Sequence, residues 1–164
     1  PSFTATRAEA SVQYGSYNQW VLNGYVSTPL AGEKVALSLA GQWDKRDGLV
    51  TDPRTGRDYN DRNSLTFRGI LRAQATDTLE ILLSGDYNRQ RNALTLGYPT
   101  APLIQTSLFP AGVRTLVPAE PYGRYDFRAS TSFRGNEGQR LDHWGTNLTA
   151  NWTLSDAITL TSIT

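Results

Sequence analysis

The chain has 164 residues, a formal net charge of +1 at pH 7 and a mean hydropathy of −0.44. This length suits one domain, and a balanced charge with scattered arginines excludes the basic face that a nucleic-acid partner needs. No apolar run reaches about 18 residues, so the sequence predicts no membrane-spanning helix. Cysteine is absent, which excludes disulfide and thiolate chemistry.

Apolar and polar residues alternate along seven segments, and a period of two predicts β-strands with one apolar and one polar face. The alternation is clearest where Leu79, Ile81 and Leu83 fall on one parity and Glu80 and Ser84 on the other. Turn residues separate most of these segments, so we expect antiparallel neighbours in hairpin order. The predicted strands are about 4–14, 19–27, 34–44, 64–75, 79–88, 144–154 and 158–164.

The connections between the predicted strands differ in length at the two ends of the meander. Those after the second, fourth and sixth strands are short, whereas the third and fifth strands are followed by long loops, about 45–63 and 89–143. Because successive turns of a meander lie at opposite ends, one rim has short turns and the other carries the long loops. Outer-membrane barrels have this asymmetry, with short periplasmic turns and long extracellular loops.

The predicted faces are also those of a membrane barrel. Charged residues within the predicted strands avoid the apolar parity, as expected where a cation at the lipid-facing midplane costs about 2–4 kcal/mol. Aromatic residues lie near both ends of the apolar face, like two interfacial girdles. The charged residues are Arg7, Glu9, Asp44, Arg68, Arg72, Glu80 and Asp86, and the aromatic residues are Tyr14, Trp43, Tyr87, Trp144 and Trp152. We therefore predict an all-β fold, an antiparallel up-and-down transmembrane β-barrel.

Several short motifs follow one another at characteristic spacing. They are YGSYN at 14–18, VSTPL at 26–30, VALSLA at 35–40, RDG at 46–48, TG at 55–56, TLEILLSGDY at 78–87, WGTNL at 144–148 and ITLTSI at 158–163. Together they resemble the N-terminal part of the barrel of TonB-dependent outer-membrane receptors. The resemblance implies that residues 1–164 are a partial outer-membrane β-barrel domain, about seven strands of a roughly 22-stranded barrel. Since the chain begins at Pro1 without methionine, we expect a processed or internal portion of a longer product.

A complete receptor of this family encloses a plug and takes up a scarce ligand, such as an iron–siderophore complex, with energy from the inner membrane. The resemblance thus implies a place in the bacterial outer membrane and a role in transport. The implied partners are outer-membrane lipid, the plug domain and remaining barrel strands, the inner-membrane energy-coupling complex acting through the plug, and a small-molecule ligand. Seven strands alone would leave unpaired edges in lipid, so we expect other strands to complete the barrel.

Arginine and aromatic side chains gather in both predicted external loops, and together they can hold an anionic or aromatic ligand by stacking and forked hydrogen bonds. The candidate ligand-binding residues are Arg54, Arg57 and Tyr59 in the first loop, and Tyr98, Arg114, Tyr122, Arg124 and Tyr125 in the second. The alternative is that these residues anchor the loops on their neighbours without touching a ligand. On the polar strand face, the predicted lumen-facing residues are Arg68, Arg72, Glu80 and Asp86.

The sequence indicates no catalytic or metal centre, and we expect neither enzyme activity nor a cofactor. The single histidine, His143, falls short of the three or four ligands that a zinc site needs. The acidic stretch with Asp52, Asp58, Asn60 and Asp61 lacks the residue order of a calcium-binding loop, so a solvated loop is expected. No Gly-x-Ser-x-Gly or phosphate-cradling glycine motif occurs.

Two other functions fit the same patterns. The first is a passive porin-like barrel, which a plug-coding stretch upstream in the reading frame would distinguish from a receptor. The second is a soluble β-sandwich module that binds a ligand such as a carbohydrate. In that fold Leu37, Leu83 and Leu148 would be sealed between two stacked sheets.

Overall fold

The computed structural model describes residues 1–97, 126–131 and 138–164, and these form nine β-strands. Within these ranges there is no helix long and apolar enough to cross a membrane. The strands are β1 (Arg7–Gly15), β2 (Gln19–Ala31), β3 (Val35–Arg46), β4 (Val50–Thr51), β5 (Asp58–Tyr59), β6 (Arg62–Thr76), β7 (Leu79–Asn92), β8 (Gln139–Ser155) and β9 (Ile158–Ile163).

Seven of these strands form one antiparallel sheet in the order β1-β2-β3-β6-β7-β8-β9, so each long strand pairs with the next long strand in the chain. The short strands β4 and β5 form a separate two-stranded ribbon in the connection between β3 and β6. The predicted all-β, antiparallel fold is therefore confirmed. In the part of the chain described, the sheet is open, and β1 and β9 are its edges.

The strands on either side of the second loop run further than the alternation predicts. Beyond their predicted ends at the loop rim, β7 and β8 keep pairing, with Arg89 opposite Asp142 and Arg91 opposite Arg140. The backbone ladder does not depend on side-chain polarity, whereas the alternation ends at the last apolar residue. The two long connections are therefore residues 47–61 and 93–138, shorter than predicted.

Within the described ranges, no other part of the chain covers the apolar side of the sheet. A row across its middle consists of Thr28, Leu37, Leu71, Leu83 and Leu148. Leu83 is 47% exposed, Leu148 46% and Trp144, nearer the loop end, 73%. No described strand packs against these side chains. The described residues therefore do not form the two stacked sheets that the β-sandwich alternative requires.

The opposite side of the sheet carries polar side chains that bond to one another across the strands. The Asn23 Nδ2 donates to Ser11 Oγ at 3.0 Å, and the Gln42 Nε2 donates to Asn23 Oδ1 at 2.8 Å. Farther along the same row, the Asn88 Nδ2 donates to Thr66 Oγ1 at 2.9 Å. These bonds satisfy polar groups without a second layer of protein, so the face is suited to a wet environment.

The most buried residues of the main sheet lie on this polar side. Ala36 is 0% exposed, Ser27 2% and Ser38 7%. Ser27 contacts the N-terminal segment, residues 1–6, through the Ser2 N–H, which donates to Ser27 Oγ at 3.1 Å. Among the described residues, the main sheet is thus covered on its polar face, near the rim with the short turns, and exposed on its apolar face.

Candidate functional site

At the loop-bearing end, residues 46–61 and 126–131 pack together, and we call this assembly the loop-end cluster. Its centre is the ribbon, in which Val50 pairs with Tyr59. Val50 is 1% exposed and Tyr59 2%, and the Leu49 N–H donates to Tyr59 O at 2.9 Å. Because strands of two residues have few ladder bonds of their own, burial of these two side chains stabilises the ribbon.

Asp52 organises the turn at the tip of the ribbon and is 1% exposed. Its Oδ1 accepts hydrogen bonds from the Arg54 N–H at 2.8 Å and from the Ser130 hydroxyl at 2.8 Å. Its carbonyl oxygen accepts from the Thr55 N–H at 3.2 Å and the Gly56 N–H at 2.8 Å. The turn needs glycine at its end, where Gly56 has a φ of 69°. One residue thus closes the turn and binds a distant part of the chain.

Residues 126–131 lie along the ribbon and join the two long connections. The Thr51 N–H donates to Phe127 O at 3.0 Å, and the Ala129 N–H donates to Thr51 O at 3.3 Å. The Arg54 guanidinium donates to the carbonyl oxygen of Thr131, which is 77 positions away in the sequence. The two loops therefore present one combined surface.

The cluster is also fastened to the rim of the sheet. The Asp47 N–H donates to Tyr17 O at 2.9 Å, in the turn between β1 and β2, and the Arg46 Nη2 donates to Asn60 O at 2.7 Å. The Asn60 Nδ2 donates to Leu96 O at 2.9 Å, and the Leu96 N–H donates to Asn60 Oδ1 at 2.6 Å. These contacts fix the position of the cluster above the strands.

The three ligand-binding candidates of the first loop lie in this cluster and differ in accessibility. Arg54 and Arg57 are exposed, whereas Tyr59, at 2% exposure, packs inside the ribbon and is out of reach of a ligand. The Arg57 guanidinium carbon lies 5.8 Å from the Tyr59 ring centroid, so the tyrosine supports an exposed cation. The other five candidates, Tyr98, Arg114, Tyr122, Arg124 and Tyr125, lie outside the described residues.

Hydrogen bonds to its carboxylate hold the pKa of Asp52 below its usual value. The backbone N–H of Arg54 lowers this pKa most, burial opposes the shift, and the Ser130 hydroxyl and the Arg54 charge lower it further. A carboxyl whose pKa is lowered by folding stabilises the fold above its unfolded pKa, about 3.9. That stabilisation is lost as the pH falls through the lowered pKa.

We expect the loop-end cluster to open on acidification below about pH 4, because protonated Asp52 loses its charge-assisted hydrogen bonds. Amide hydrogen exchange of Thr55 and Gly56, followed from pH 6 downward, should show loss of protection. Asp52→Asn is the control, because it keeps the Oδ1 acceptor but cannot titrate. It should loosen the cluster at neutral pH and abolish this pH dependence. An unchanged pH dependence in the variant would show that another group controls the opening.

The four predicted lumen-facing residues all lie on the polar side of the sheet. The Arg72 Nε donates to Glu80 Oε2 at 2.7 Å, and its Nη2 bonds to the same oxygen. The Arg72 guanidinium carbon also lies 4.4 Å from the centroid of the Phe3 ring. Arg68 and Asp86 face each other across β6 and β7. The Arg72–Glu80 pair therefore lies next to the N-terminal segment, which it contacts through Phe3, whereas Arg68 and Asp86 lie nearer the loop end.

The described part of the chain contains no cluster of three or more histidine, cysteine, aspartate or glutamate side chains that could hold a metal ion. His143 lies on the polar side, with its Nδ1 3.7 Å from Asp86 Oδ2. In the acidic loop, Asp58 accepts from the Thr51 hydroxyl at 2.7 Å, and Asp61 accepts from a backbone N–H at 2.5 Å. These loop carboxylates serve the structure of the cluster.

Sequence reasoning missed the structural roles of two residues, Asp52 in the loop-end cluster and Phe3 near the opposite rim. Asp52 had one local signal: it begins an Asp-Pro-x-Thr-Gly turn, in which the side chain commonly accepts the N–H two residues on. No local sequence signal points to Phe3, because its contact with Arg72 joins parts of the chain that are remote in sequence. The ribbon strands are too short for a two-residue period to be recognised.

Comparison of the chain with protein-family models, with curated proteins and with solved structures finds no match. The functional argument therefore depends on the two faces of the sheet, its two rims and the loop-end cluster.

Proposed function

We propose that this chain is part of the barrel of an outer-membrane receptor that takes up a scarce ligand, such as an iron–siderophore complex, with energy from the inner membrane. The observation that carries the proposal is a seven-stranded antiparallel sheet whose apolar face no other described residue covers. Such a face needs an apolar covering, and lipid supplies one without a second sheet. Energised transport and an enclosed plug come from the resemblance to TonB-dependent receptors.

The height of the apolar face supports a lipid covering. In β8 the apolar parity runs from Trp144 to Leu154, which is about 34 Å at roughly 3.4 Å per residue. At a strand tilt of about 40°, this corresponds to roughly 26 Å, close to the ~25 Å apolar band of an outer-membrane barrel. Trp144 and Trp152 lie toward opposite ends of that run, as interfacial aromatic residues do.

The connections at the two rims differ in length, and this difference supports one orientation of the sheet across the membrane. At one rim the connections between long strands are residues 32–34, 77–78 and 156–157. At the other rim they are the β1–β2 turn and the long connections 47–61 and 93–138. With the short turns in the periplasm, the loop-end cluster would face the outside, where a ligand arrives.

The N-terminal segment supports an occupied interior. It lies on the polar face, held by the Ser2–Ser27 hydrogen bond and by Phe3 against Arg72. In a closed barrel this face would be the lumen, so the chain would enter β1 from inside. A plug preceding β1 would need such an entry. In the part of the chain that the structure describes, β1 and β9 are the edges of the sheet, and remaining barrel strands would join there.

The loop-end cluster supports the capture of an anionic ligand. Arg54 and Arg57 extend from a turn that Asp52 closes by hydrogen bonds, and both residues are exposed, with Arg54 also donating to the carbonyl oxygen of Thr131. The planar guanidinium group of arginine can donate two parallel hydrogen bonds to a carboxylate or another oxyanion.

Uptake by intact cells tests the proposal. Cells with and without the complete gene would receive a panel of radiolabelled ferric siderophores at nanomolar concentration, with and without a protonophore. We expect saturable uptake of at least one complex that requires both the gene and the energised inner membrane. Arg54→Gln/Arg57→Gln should weaken its capture about tenfold through loss of charge-assisted bonds, whereas Lys34→Gln at the opposite rim should not.

Uptake that depends on the gene but is neither saturable nor sensitive to the protonophore would support the passive porin-like barrel. A product recovered in buffer without detergent would contradict the membrane location itself.

A further inference from the structure

A recess of about 410 Å³ opens on the polar side of the sheet, between the middle of the strands and the loop rim. Most of its lining residues have the polar parity, among them Thr66, Arg68, Asp86, Asn88 and His143. They belong to β6, β7 and β8, so three neighbouring strands form its wall. The N-terminal segment contacts the same face near the opposite rim and does not line the recess.

Two opposite charges in this recess face each other without pairing. Arg68 and Asp86 are direct partners in the β6–β7 ladder, yet no ion pair joins them. On β8, the partner of Asp86 is Gly145, which has no side chain. A Cβ at position 145 would lie 3.4 Å from Asp86 Oδ1 and 3.6 Å from Asp86 Oδ2, so the carboxylate extends over this glycine. The carboxylate is therefore directed toward β8, whereas Arg68 lies on β6.

Both charges are unmatched within the described part of the chain. Arg68 is exposed and makes no hydrogen bond or ion pair there. Asp86 accepts no hydrogen bond from the described residues, and its one possible ionic partner among them is His143. The His143 Nδ1 lies 3.7 Å from Asp86 Oδ2, which is beyond hydrogen-bond distance. The Asp86 side chain is 44% exposed, so a small molecule can reach it.

Other opposite charges on the same face do pair. The Arg72 Nε donates to Glu80 Oε2 at 2.7 Å, and the Arg62 Nη1 donates to Asp44 Oδ2 at 2.9 Å. The strand geometry of this face therefore permits ion pairs, and the separation of the two charges is particular to the recess. Such a separation leaves room for a molecule that carries both complementary charges.

We propose that the recess binds a free α-amino acid as its zwitterion. The carboxylate of the ligand would accept hydrogen bonds from the Arg68 guanidinium, and its ammonium group would donate to the Asp86 carboxylate. One ligand would thereby match both charges, which the two side chains do not do for each other. A molecule with only one of the two charges would leave the other protein charge unmatched, so the site would select the zwitterion.

This inference goes beyond the proposed function. It needs the polar face to be open to water, but it does not need the apolar face to contact lipid. The candidate residues for capture of a transported ligand lie in the loops, whereas this recess is in the wall of the sheet.

Ligand-observed NMR titration of the complete protein, purified in detergent, tests the inference at pH 7. The probes are L-alanine, N-acetyl-L-alanine, which lacks the ammonium group, and L-alaninamide, which lacks the carboxylate. The test variants are Arg68→Gln and Asp86→Asn, and Arg68→Lys keeps the positive charge. The control is Arg7→Gln, which removes an exposed cation from the same face near the opposite rim.

We expect the unmodified protein and Arg7→Gln to bind L-alanine at least about tenfold more tightly than either derivative, since each derivative lacks one charge-assisted contact. Arg68→Gln should abolish the preference over L-alaninamide and keep the preference over N-acetyl-L-alanine. Asp86→Asn should do the reverse. Arg68→Lys should retain both preferences, because the charge that meets the carboxylate remains.

Equal binding of the three probes by the unmodified protein would overturn the inference, as would the absence of saturable binding of L-alanine. Preferences that persist in both test variants would overturn it too, because other groups would then bind the ligand. Equal loss of all three probes in either variant would contradict the assignment of one ligand charge to each residue.

The two proposals fail in distinguishable ways. A protein that takes up its ligand with energy from the inner membrane but does not distinguish the three probes loses only the amino-acid site. A protein that is recovered in buffer without detergent and still shows the expected preferences loses only the uptake function.

Discussion

Replacing Leu83 with arginine is expected to lower the amount of folded protein in the membrane at least about tenfold. Leu83 lies in the row across the middle of the apolar face, between Leu71 and Leu148. A cation at the lipid-facing midplane of a barrel costs about 2–4 kcal/mol, and each 1.4 kcal/mol is a factor of about ten. Heat-modifiable migration of membrane fractions on gels measures the folded amount.

Ser84→Arg is the matched control for this substitution. Ser84 adjoins Leu83 in β7 and has the opposite parity, facing Ile70 and Asn147 on the polar side. The same side chain at nearly the same height should therefore be tolerated if that side is wet. Equal losses for the two variants, or a greater loss for Ser84→Arg, would contradict the assignment of the two faces.

Replacing Gly48 with valine is expected to release the ribbon of the loop-end cluster while leaving the sheet intact. A Cβ at this position would lie 2.5 Å from Tyr59 O and 2.7 Å from Tyr59 N, which are backbone atoms that cannot move aside independently. Overpacking of this kind costs about 1–3 kcal/mol. Exposure of the turn should therefore rise about fivefold or more, since each 1.4 kcal/mol is a factor of about ten, and ligand capture should fall with it.

Limited trypsin digestion measures this release, because Arg54 and Arg57 lie in the turn that the ribbon supports. Cleavage there should accelerate at least about fivefold in Gly48→Val, with unchanged membrane assembly. Gly97→Val is the control, since a Cβ at Gly97 meets nothing within 4 Å. Equal digestion of the two variants would mean that the ribbon does not control access to the turn.

The strands of the main sheet could be predicted because each has a long enough run of alternating side chains between turn residues. Their ends at the loop rim could not be predicted, because charged residues interrupt the apolar parity while the backbone ladder continues through Arg91 and Arg140. Charge exclusion from the apolar parity holds across the middle of the strands and ends at the rim. In a membrane barrel, the rim is also the depth at which the cost of a cation falls.

The site was less predictable because its contacts are non-local. Arg54 and Arg57 are exposed as expected, yet the same aromatic–arginine pattern also includes Tyr59, which is buried. Composition does not distinguish a ring that meets a ligand from one that supports a turn. The burial of Asp52 depends on Ser130, and the docking of Phe3 depends on Arg72. These pairs form only once the sheet and the loops are assembled.

The central claim is that the apolar face of this sheet contacts hydrocarbon, and spin-label accessibility in membranes tests it most directly. This chain has no cysteine, so Leu83→Cys, Leu148→Cys and Ser84→Cys each introduce one labelling site in it. We predict that labels at Leu83 and Leu148 collide with oxygen and are shielded from a water-soluble nickel chelate, while the label at Ser84 shows the reverse. Labels at Leu83 and Leu148 that the nickel chelate reaches freely, or that neither reagent reaches, would contradict the claim.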